Sequence, residues 1–482
     1  MVSLQDLQPQ EVLRWFYALA AIPHGSGNTK AVSDFCVKFA EERGLEHYQD
    51  GLNNVIIIAP AAPGYENAPA VILQGHLDMV CAKAPGCEKD MTTEGLDLAT
   101  DGAWLYAEGT TLGADDGIAV AMALAVLDDP SLPRPRIEAV FTVDEEIGML
   151  GAAGLDTSPL QGRTVINIDS EAEGIFTVGC AGGVRTELHL SLEQERIDAA
   201  LYTLSVSGLT GGHSGNEIHR GRANANVLMG RALSALSKIT PVQLVSVNGG
   251  TADNVIPNTC IAVFAASPDA ANALQETASG LEVSLKAEYA AADPALCVTL
   301  TAAPEQTLTA ASADASRQLI DLLCACPNGV QAMSQDIPGL VETSLNLGIL
   351  SLSEGNARLC FLIRSSRAIG KESLKAQLAS LAAAYSASVS YGGDYPPWEY
   401  RKDSPLRERM TEIYRRQYGS DPRIEVIHAG LECGVLASQL PGMDCVSIGP
   451  DLPDIHTPAE RMDLAGTQRV WNFVKEILKE SK

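Results

Sequence analysis

The sequence predicts an α/β domain with a mostly parallel central sheet, interrupted by an inserted α+β domain. Three observations carry this prediction. Short apolar runs alternate with helical runs over the first third of the 482 residues. After residue 183 the pattern changes to strands in which apolar and polar residues alternate. The α/β pattern then resumes near residue 395. We therefore expect a discontinuous domain, residues 1–183 and 395–482, around an insertion at 184–394.

The first segment contains four runs that read as strands, at residues 55–59, 70–74, 136–143 and 164–168. Their continuous apolar character indicates burial on both faces, as in a parallel sheet covered by helices. The Ala-rich stretch 118–127 is a helix that ends where Asp-Pro follows it.

The insertion contains period-2 runs at residues 185–193 and 201–208, which fit strands with one solvated face. Helices near 224–236 and at 373–386, strands near 242–247 and 259–265, and an amphipathic stretch at 270–290 complete the insertion. In the last segment we expect helices at 405–418 and 466–479 and strands at 423–428 and 444–449.

Composition excludes several classes of partner. There are 60 acidic against 34 basic residues, a net charge of −26. This charge repels phosphate backbones and anionic lipids, so we expect neither nucleic acid nor a membrane as partner. The N-terminal residues resemble no signal peptide, and the longest apolar runs are too short to span a bilayer. Eleven cysteines without CxxC pairs favour reduced thiols, and so a cytoplasmic location.

Ionisable side chains follow the predicted strands at the points where the strands end. In open α/β sheets, ligands bind beyond the carboxyl ends of the strands. Two imidazoles with several carboxylates suit zinc or manganese, with enough donors for two ions. The side chains in question are His76 and Asp78, Asp115 and Asp116, Asp144 to Glu146, Asp169, and His456.

Each of these features has an ordinary structural explanation when taken alone. An HxD sequence is usually a surface turn, and acidic residues are common at helix N-termini, where the dipole favours them. An aspartate in GADDG can be an N-cap, and a histidine before Thr-Pro can be a loop residue. Their joint occurrence at the strand ends of one domain favours a metal site.

Seven stretches of the sequence resemble one family. They are GHLDMV, LGADDGIAVAMALAVL, FTVDEEIGMLGA, INIDSEAEGIFTVGCAGG, GLTGGHSGNEIHRGRANAN, HAGLECG and DIHTP. This is the family of co-catalytic-zinc metallopeptidases, which includes dipeptidases, tripeptidases and aminoacylases. Within it, the sequence is most similar to the aminoacyl-histidine (Xaa-His) dipeptidases. The resemblance implies a zinc-peptidase catalytic domain and an inserted lid domain that also forms a homodimer.

The resemblance implies two Zn²⁺ ions per subunit, which Co²⁺ or Mn²⁺ can replace. Asp115 is then the bridging carboxylate. His76 and Asp169 serve one ion, and Glu146 and His456 serve the other.

Further roles follow from the same resemblance. Asp78 orients the ring of His76 through a hydrogen bond, as carboxylates behind zinc ligands do. Glu145 is the general base that accepts a proton from the attacking water. The peptide bond between Asp115 and Asp116 is expected to be cis.

Four residues are candidates for binding substrate. His213, in a Gly-rich loop, matches a histidine that polarises the scissile carbonyl, although the loop can also be a simple turn. Asn254 matches a substrate-contacting asparagine. Arg364 can hold the substrate carboxylate, although a surface ion pair explains it nearly as well. Gly430 lies where backbone N–H groups can bind a carboxylate before a helix.

The function that the resemblance implies is hydrolysis of dipeptides, including β-alanyl-histidine, with a dipeptide as the small-molecule partner. An aminoacylase or a tripeptidase on the same scaffold is the main alternative, because these enzymes share the metal ligands. A metal-storing or peptide-binding protein would not need Glu145. A glycosidase with paired carboxylates would not need His76 and His456.

Overall fold

A computed structural model describes residues 4–482, so the first three residues of the predicted segment 1–183 lie outside it. The described chain forms two compact units. The first unit comprises the residues up to Cys180 together with Tyr400–Val426 and Leu431–Lys482. The second comprises Ala181–Glu399 and Ile427–Gly430. That the second unit acts as a lid stays a prediction.

The helices and strands up to Cys180 follow in chain order. They are α1 (Gln10–Ala20), α2 (Lys30–Glu42), β1 (Glu46–Gln49), β2 (Val55–Ala59), β3 (Val71–His76), β4 (Leu98–Thr100), β5 (Trp104–Ala107), α3 (Ala114–Asp128), β6 (Ile137–Thr142), α4 (Leu150–Gly154), β7 (Thr164–Asn167) and β8 (Ile175–Cys180).

The second unit continues the numbering. Its elements are β9 (Gly182–Ser191), β10 (Gln194–Ser207), β11 (Gly212–His213), α5 (Ala225–Ser237), β12 (Gln243–Gly249), β13 (Val255–Ile256), β14 (Cys260–Ala266), α6 (Ala271–Glu288), β15 (Cys297–Ala311), α7 (Ala313–Ala325), β16 (Gly329–Met333), β17 (Val341–Ser353), β18 (Asn356–Ser365), α8 (Ala368–Ala384) and β19 (Ser388–Tyr395).

The remaining elements lie towards the C-terminus. They are α9 (Pro405–Tyr418), β20 (Arg423–Ile427), α10 (Glu432–Gln439), β21 (Asp444–Ser447), β22 (Arg461–Asp463) and α11 (Leu464–Glu480).

The central sheet of the first unit has eight strands in the order β1-β2-β6-β3-β7-β21-β8-β20. Its four central strands, β6, β3, β7 and β21, are parallel. Antiparallel pairing joins β1 to β2, β2 to β6, and β21 to β8. The α/β class is confirmed, and the sheet is mixed, with its parallel part confined to the centre. The fully buried run of β2 indicated burial on both faces, but burial does not set strand direction.

Strand register brings the carboxyl ends of β3, β6 and β7 side by side. His76 at the end of β3 pairs with Thr142 at the end of β6. Gln74 of β3 pairs with Asn167 at the end of β7. All residues of β3 and β6 are buried, so the sheet that carries these ends is rigidly packed.

The second unit is built on a nine-stranded sheet in which the recorded pairs are antiparallel, in the order β15-β10-β14-β12-β17-β18-β9-β19, with β16 added beside β17. Buried residues alternate along β9 and β10, which agrees with the period-2 pattern of their sequences. Helices α5 to α8 contact this sheet, and apolar side chains from strands and helices form one core.

Among residues 4–482, no helix is both long and apolar enough to cross a bilayer. The eleven cysteines are free thiols in the structure. The Ala-rich helix α3 starts at Ala114, but Asp115 and Asp116 have non-helical dihedral angles, so its regular part begins after them.

Candidate metal centre

The carboxyl edge of the central sheet gathers the ionisable side chains that the sequence placed at strand ends. His76 is the last residue of β3, and Asp169 follows β7. Glu145 and Glu146 lie in the turn after β6. Because these strands are parallel and in register, their ends deliver the side chains to one place.

Asp115 lies between the two histidines. Its Oδ1 is 3.2 Å from Nε2 of His76, and its Oδ2 is 3.1 Å from Nε2 of His456. Nε2 of His76 is also 3.8 Å from Oδ1 of Asp169. Nε2 of His456 is 2.9 Å from Oε1 of Glu146. One oxygen of Asp115 therefore faces His76, which lies near Asp169, and the other faces His456, which lies near Glu146.

Three overlapping groups of ligand atoms each lie within 4.8 Å of one another, close enough to surround a cation. These groups are His76 with Asp116 and Asp169, His76 with Glu145 and Glu146, and Asp115 with Glu146 and His456. Imidazole nitrogens and carboxylate oxygens are the ligands that zinc uses. The residues present therefore fit divalent ions. Asp116 belongs to one group, although the sequence analysis did not assign it as a ligand.

The tautomer of His76 also suits a ligand. Its Nδ1 donates to the backbone carbonyl of Asp78 over 2.9 Å, which leaves the lone pair of Nε2 facing Asp115 and Asp169 in the neutral ring. The Asp78 carboxylate is farther from this nitrogen, at 3.5 Å. The closest contact that orients the ring is thus the carbonyl of Asp78 rather than its carboxylate.

The histidines show how strongly the site attracts positive charge. Burial would lower the pKa of His76, but hydrogen bonds to Asp115 and Asp78 and the charge of Asp169 raise it well above its usual value. Hydrogen bonds to Asp115 and Glu146 raise the pKa of His456 to about 10. Protons here balance carboxylate charge, and a bound divalent ion would displace them.

Two of the carboxylates, Glu145 and Asp169, also have raised pKa values, which for an acid means that the neutral form is favoured. Burial raises the pKa of Glu145 to about 8, and the charges of Glu432, Glu146 and Asp115 add to the shift against that of His76. Burial and the neighbouring Asp116 raise the pKa of Asp169 well above its usual value. Buried like charges disfavour ionisation unless a cation compensates them.

Asp78 supports the turn that carries the two glutamates. Its carboxylate accepts hydrogen bonds from the backbone N–H groups of Glu145 at 3.0 Å and Glu146 at 3.3 Å. The hydroxyl of Ser26 donates to the same carboxylate over 2.8 Å. Asp78 is 1% exposed, so these bonds are made away from solvent. Ser26 was missed because it is far away in sequence.

Glu460 supports the turn that carries Asp115. Its carboxylate accepts from the backbone N–H groups of Leu112, Gly113 and Ala114 at 2.7, 3.0 and 2.8 Å. Gly113 has a φ of 67°, a left-handed conformation that favours glycine. The peptide bond between Asp115 and Asp116 is cis, as the family resemblance implied. Glu460 was not identified from the sequence.

A fourth group of carboxylates, Glu173, Asp451 and Asp463, lies elsewhere in the first unit. Arg469 already pairs with Glu173 through two hydrogen bonds of 2.6 Å. Asp463 caps α11 by accepting from backbone N–H groups. These contacts explain the group without a metal ion.

In the second unit, His213 is held in a defined tautomer. Its Nδ1 accepts hydrogen bonds from the N–H groups of Gly215 at 3.3 Å and Asn216 at 3.2 Å. Burial and the nearby charge of Arg364 lower its pKa. The ring is therefore neutral near pH 7 with its proton on Nε2, and Nε2 is available as a donor. Asn254, which is exposed, lies beside it, because β11 pairs with β13 and Ser214 N–H donates to the Asn254 carbonyl.

Arg364 lies in a buried polar pocket of the second unit. It is 7% exposed, and its Nη1 donates to the hydroxyl of Tyr395 over 3.2 Å. Its Nε is buried without a partner, and no carboxylate among the described residues pairs with it. The surface ion pair that the sequence allowed is therefore wrong. A Cβ at Gly430 would lie 2.9 Å from the Tyr395 ring, so Gly430 leaves room for that ring.

His428, whose ring senses the charge of Arg364, contains a second buried polar atom without a partner. Nε2 of His428 lies 2.7 Å from the Ser344 hydroxyl, and its Nδ1 is buried without a partner. Burial and the charge of Arg364 lower its pKa to about 3, so the ring is neutral. A buried guanidinium beside unpaired polar atoms suits an anionic ligand.

An α/β sheet whose carboxyl edge holds two imidazoles among carboxylates is typical of a metal-dependent enzyme. Residues 72–480 match the peptidase family M20/M25/M40. The chain belongs to this family, and it is therefore a metallopeptidase. The family inferred from the sequence motifs is confirmed.

Relatives of known name cover the whole chain. It is 38% identical over 484 residues to the cytosol non-specific dipeptidase of Escherichia coli (strain K12), across 100% of this chain and 99% of the relative. The structure of an aminoacylhistidine dipeptidase from Vibrio alginolyticus matches 99% of this chain and 98% of its own, with 35% identity and a TM-score of 0.93. A Staphylococcus aureus tripeptidase shares the fold at 16% identity, over 98% and 99% of the two chains, with a TM-score of 0.57.

The buried acid Glu432 predicts a pH dependence of stability in metal-free protein. Burial raises the pKa of Glu432 to about 7 from an ordinary 4.5. The folded protein thus keeps this proton to a higher pH than the unfolded chain. The resulting stabilisation is present below pH 4.5 and is lost as the pH rises through 7. Its size is on the order of 3 kcal/mol.

We expect the melting temperature of the metal-free wild type to fall more steeply between pH 5 and 8 than that of Glu432→Gln. Differential scanning calorimetry of both proteins measures this difference. Parallel curves for the two proteins would contradict the assignment.

Proposed function

We propose that the protein is a dipeptidase that uses two divalent ions, Zn²⁺ by preference, with Co²⁺ or Mn²⁺ able to replace it. The observation that carries this proposal is the position of Asp115, with one oxygen towards His76 and the other towards His456. A carboxylate between two imidazoles, one at the end of β3 and one in the loop before β22, suits a bridge between two ions. The two relatives named above that share 35% identity or more with this chain are dipeptidases by name.

The substrate range includes Xaa-His dipeptides such as β-alanyl-histidine. The name of the Vibrio relative supports this specificity, and the name of the Escherichia relative supports a wider range. We also propose a cytoplasmic location, in line with the name of that second relative, and a homodimer formed through the second unit.

In this proposal His76 and Asp169 would hold one ion, Glu146 and His456 would hold the other, and Asp115 would serve both. When bound, such ions lower the pKa of water and polarise a carbonyl group. Asp78 supports this arrangement indirectly, because it holds the backbone of the glutamate turn.

Glu145 is the general base. Its side chain is next to the proposed ligand Glu146, and its pKa of about 8 without a cation shows a buried carboxyl group that readily holds a proton. It takes a proton from the attacking water and passes it to the leaving nitrogen, which departs as an amine.

The second unit supplies substrate-binding groups. Arg364 pairs with the free carboxylate of the dipeptide, for which its buried, unpaired Nε is suited. The Nε2–H of His213 donates to the carbonyl oxygen as negative charge develops there. Asn254 and the backbone at Gly430 complete the contacts. Binding of the free C-terminal carboxylate by the enzyme limits its substrates to very short peptides.

The first test compares substrates and removes metal. We expect hydrolysis of β-alanyl-histidine, Ala-His and Leu-Gly, no hydrolysis of N-acetyl amino acids, and little of Ala-Ala-Ala. A chelator should abolish turnover, and Zn²⁺, Co²⁺ or Mn²⁺ should restore it. Turnover by verified metal-free protein would refute the proposal. Preference for N-acetyl amino acids would indicate an aminoacylase instead, and preference for Ala-Ala-Ala a tripeptidase.

The second test separates the base from the ligands. Glu145→Gln should retain both ions and lose about two to four decades of turnover, the usual scale for general acid–base catalysis. His76→Ala should lose metal affinity. Metal analysis beside kinetics distinguishes the two variants. Glu138→Gln, at the other end of β6 and also fully buried, is the matched control and should keep near-normal kinetics. A fully active Glu145→Gln would show that another group is the base.

The third test concerns His213. A donor that acts on the transition state contributes to turnover more than to ground-state affinity. His213→Ala should lose roughly 100- to 1000-fold in kcat with a modest change in KM and full metal content. His189→Ala, a histidine on β9 of the same unit, is the control and should be unaffected. A His213→Ala enzyme within about threefold of wild type would contradict this role.

A further inference from the structure

A layer of buried polar side chains lies directly beneath the candidate metal centre. Gln74 is two residues before His76, and Asn167 is two residues before Asp169. Thr142 ends β6, just before the turn with the two glutamates. These three side chains are between 0% and 2% exposed, although the strands around them are otherwise largely apolar.

Glu432, at the start of α10, connects this layer. Its Oε2 accepts a hydrogen bond from Nε2 of Gln74 at 2.7 Å and another from the Thr142 hydroxyl at 2.5 Å. Oε1 of Gln74 accepts from Nδ2 of Asn167 at 2.6 Å. One carboxylate thus links β3 and β6 directly, and β7 through Gln74.

A buried carboxylate at this position is costly. Glu432 is 0% exposed, and its Oε1 has no hydrogen-bond partner among the described residues. An apolar side chain of similar size would avoid this desolvation cost, so core packing alone does not explain a glutamate here. The two hydrogen bonds that it accepts join strands whose ends carry different proposed metal ligands.

We propose that Glu432 is a positioning residue for the metal centre. Through its hydrogen bonds to Gln74 and Thr142, it fixes the positions of the ends of β3, β6 and β7 relative to one another. It is not itself proposed to touch an ion or the substrate. The inference rests on the metal-binding part of the proposed function and goes beyond it, because it assigns a role to a carboxylate outside the ligand set.

If these hydrogen bonds position the strand ends, the affinity for Zn²⁺ depends on whether the side chain at residue 432 can accept them. The amide oxygen of Glu432→Gln can accept both hydrogen bonds. Glu432→Leu leaves the Gln74 amide and the Thr142 hydroxyl with only longer contacts, to the Thr142 oxygen at 3.3 Å and to the Gly75 carbonyl at 3.4 Å. Groups behind metal ligands typically change metal affinity by about 10- to 100-fold when they are removed. We expect Glu432→Leu to weaken Zn²⁺ binding by roughly this factor and Glu432→Gln to remain within about threefold of wild type.

The experiment measures Zn²⁺ dissociation constants by competition with a chromophoric chelator, and the visible absorption spectrum of the Co²⁺-loaded proteins. The spectrum reports ligand geometry directly, so Glu432→Leu should shift its bands while Glu432→Gln should not. Thr142→Val, which removes one donor while keeping the shape, should give a smaller change in the same direction. It also provides the test if Glu432→Leu does not fold.

Glu138→Leu is the matched control. Glu138 is a fully buried glutamate near the opposite end of β6, where it accepts hydrogen bonds from the backbone of Gln161 and Gly162. Its loss should lower stability and leave Zn²⁺ affinity and the Co²⁺ spectrum unchanged. Equal effects of Glu138→Leu and Glu432→Leu on metal binding would overturn the proposal, as would unchanged binding in Glu432→Leu and Thr142→Val.

A Glu432→Gln protein as impaired as Glu432→Leu would also overturn it, because charge rather than the hydrogen-bond acceptor would then matter. Failure of the wild type to bind Zn²⁺ would instead refute the proposed function on which the inference rests.

Discussion

Mutual repulsion among buried carboxylates is the constraint on which the rest of the site depends. Asp115, Asp116, Glu145, Glu146 and Asp169 meet at one sheet edge, where a low dielectric strengthens like-charge repulsion. Folding concentrates this charge because parallel strands in register deliver their ends together. Positive charge compensates this repulsion. In the absence of metal, the two histidines provide it by holding protons, as their raised pKa values indicate. The same cluster of carboxylates thus raises the affinity for metal and lowers the stability of the metal-free protein.

The residues that support the metal-binding turns do not use positively charged side chains as partners. Asp78 and Glu460 are themselves carboxylates, yet they are satisfied by backbone N–H groups of the turns that they support. A backbone dipole stabilises a carboxylate and carries no net charge that would compete with a metal ion. Arg364, by contrast, is a full charge kept free of carboxylate partners within its own unit.

Sequence patterns identified the ends of β3, β6 and β7 because their apolar runs stop close to ionisable residues, and this pattern placed His76 and Asp169 at the edge. The direction of each strand was harder to predict from the sequence. The apolar run of β2 is compatible with parallel and with antiparallel pairing, and in the structure β2 is antiparallel to β6. Glu432 and Glu460 act on residues hundreds of positions away, a relation that a single sequence does not encode locally. Gln74 and Asn167 did leave a signal, as polar residues inside otherwise apolar strands.

The link between Glu460 and the turn at Asp115 also affects how the protein is made. The donors of the centre are spread from His76 to His456, and Glu460 follows four residues later. A ribosome delivers them in that order, so a growing chain displays the acidic strand ends long before the last imidazole and its supporting carboxylate emerge. Truncated or stalled chains hold an incomplete ligand set and an unsupported turn. Synthesis as far as Glu460 is thus a precondition for the finished metal centre, and His456 and Glu460 contribute to it as directly as β3 does.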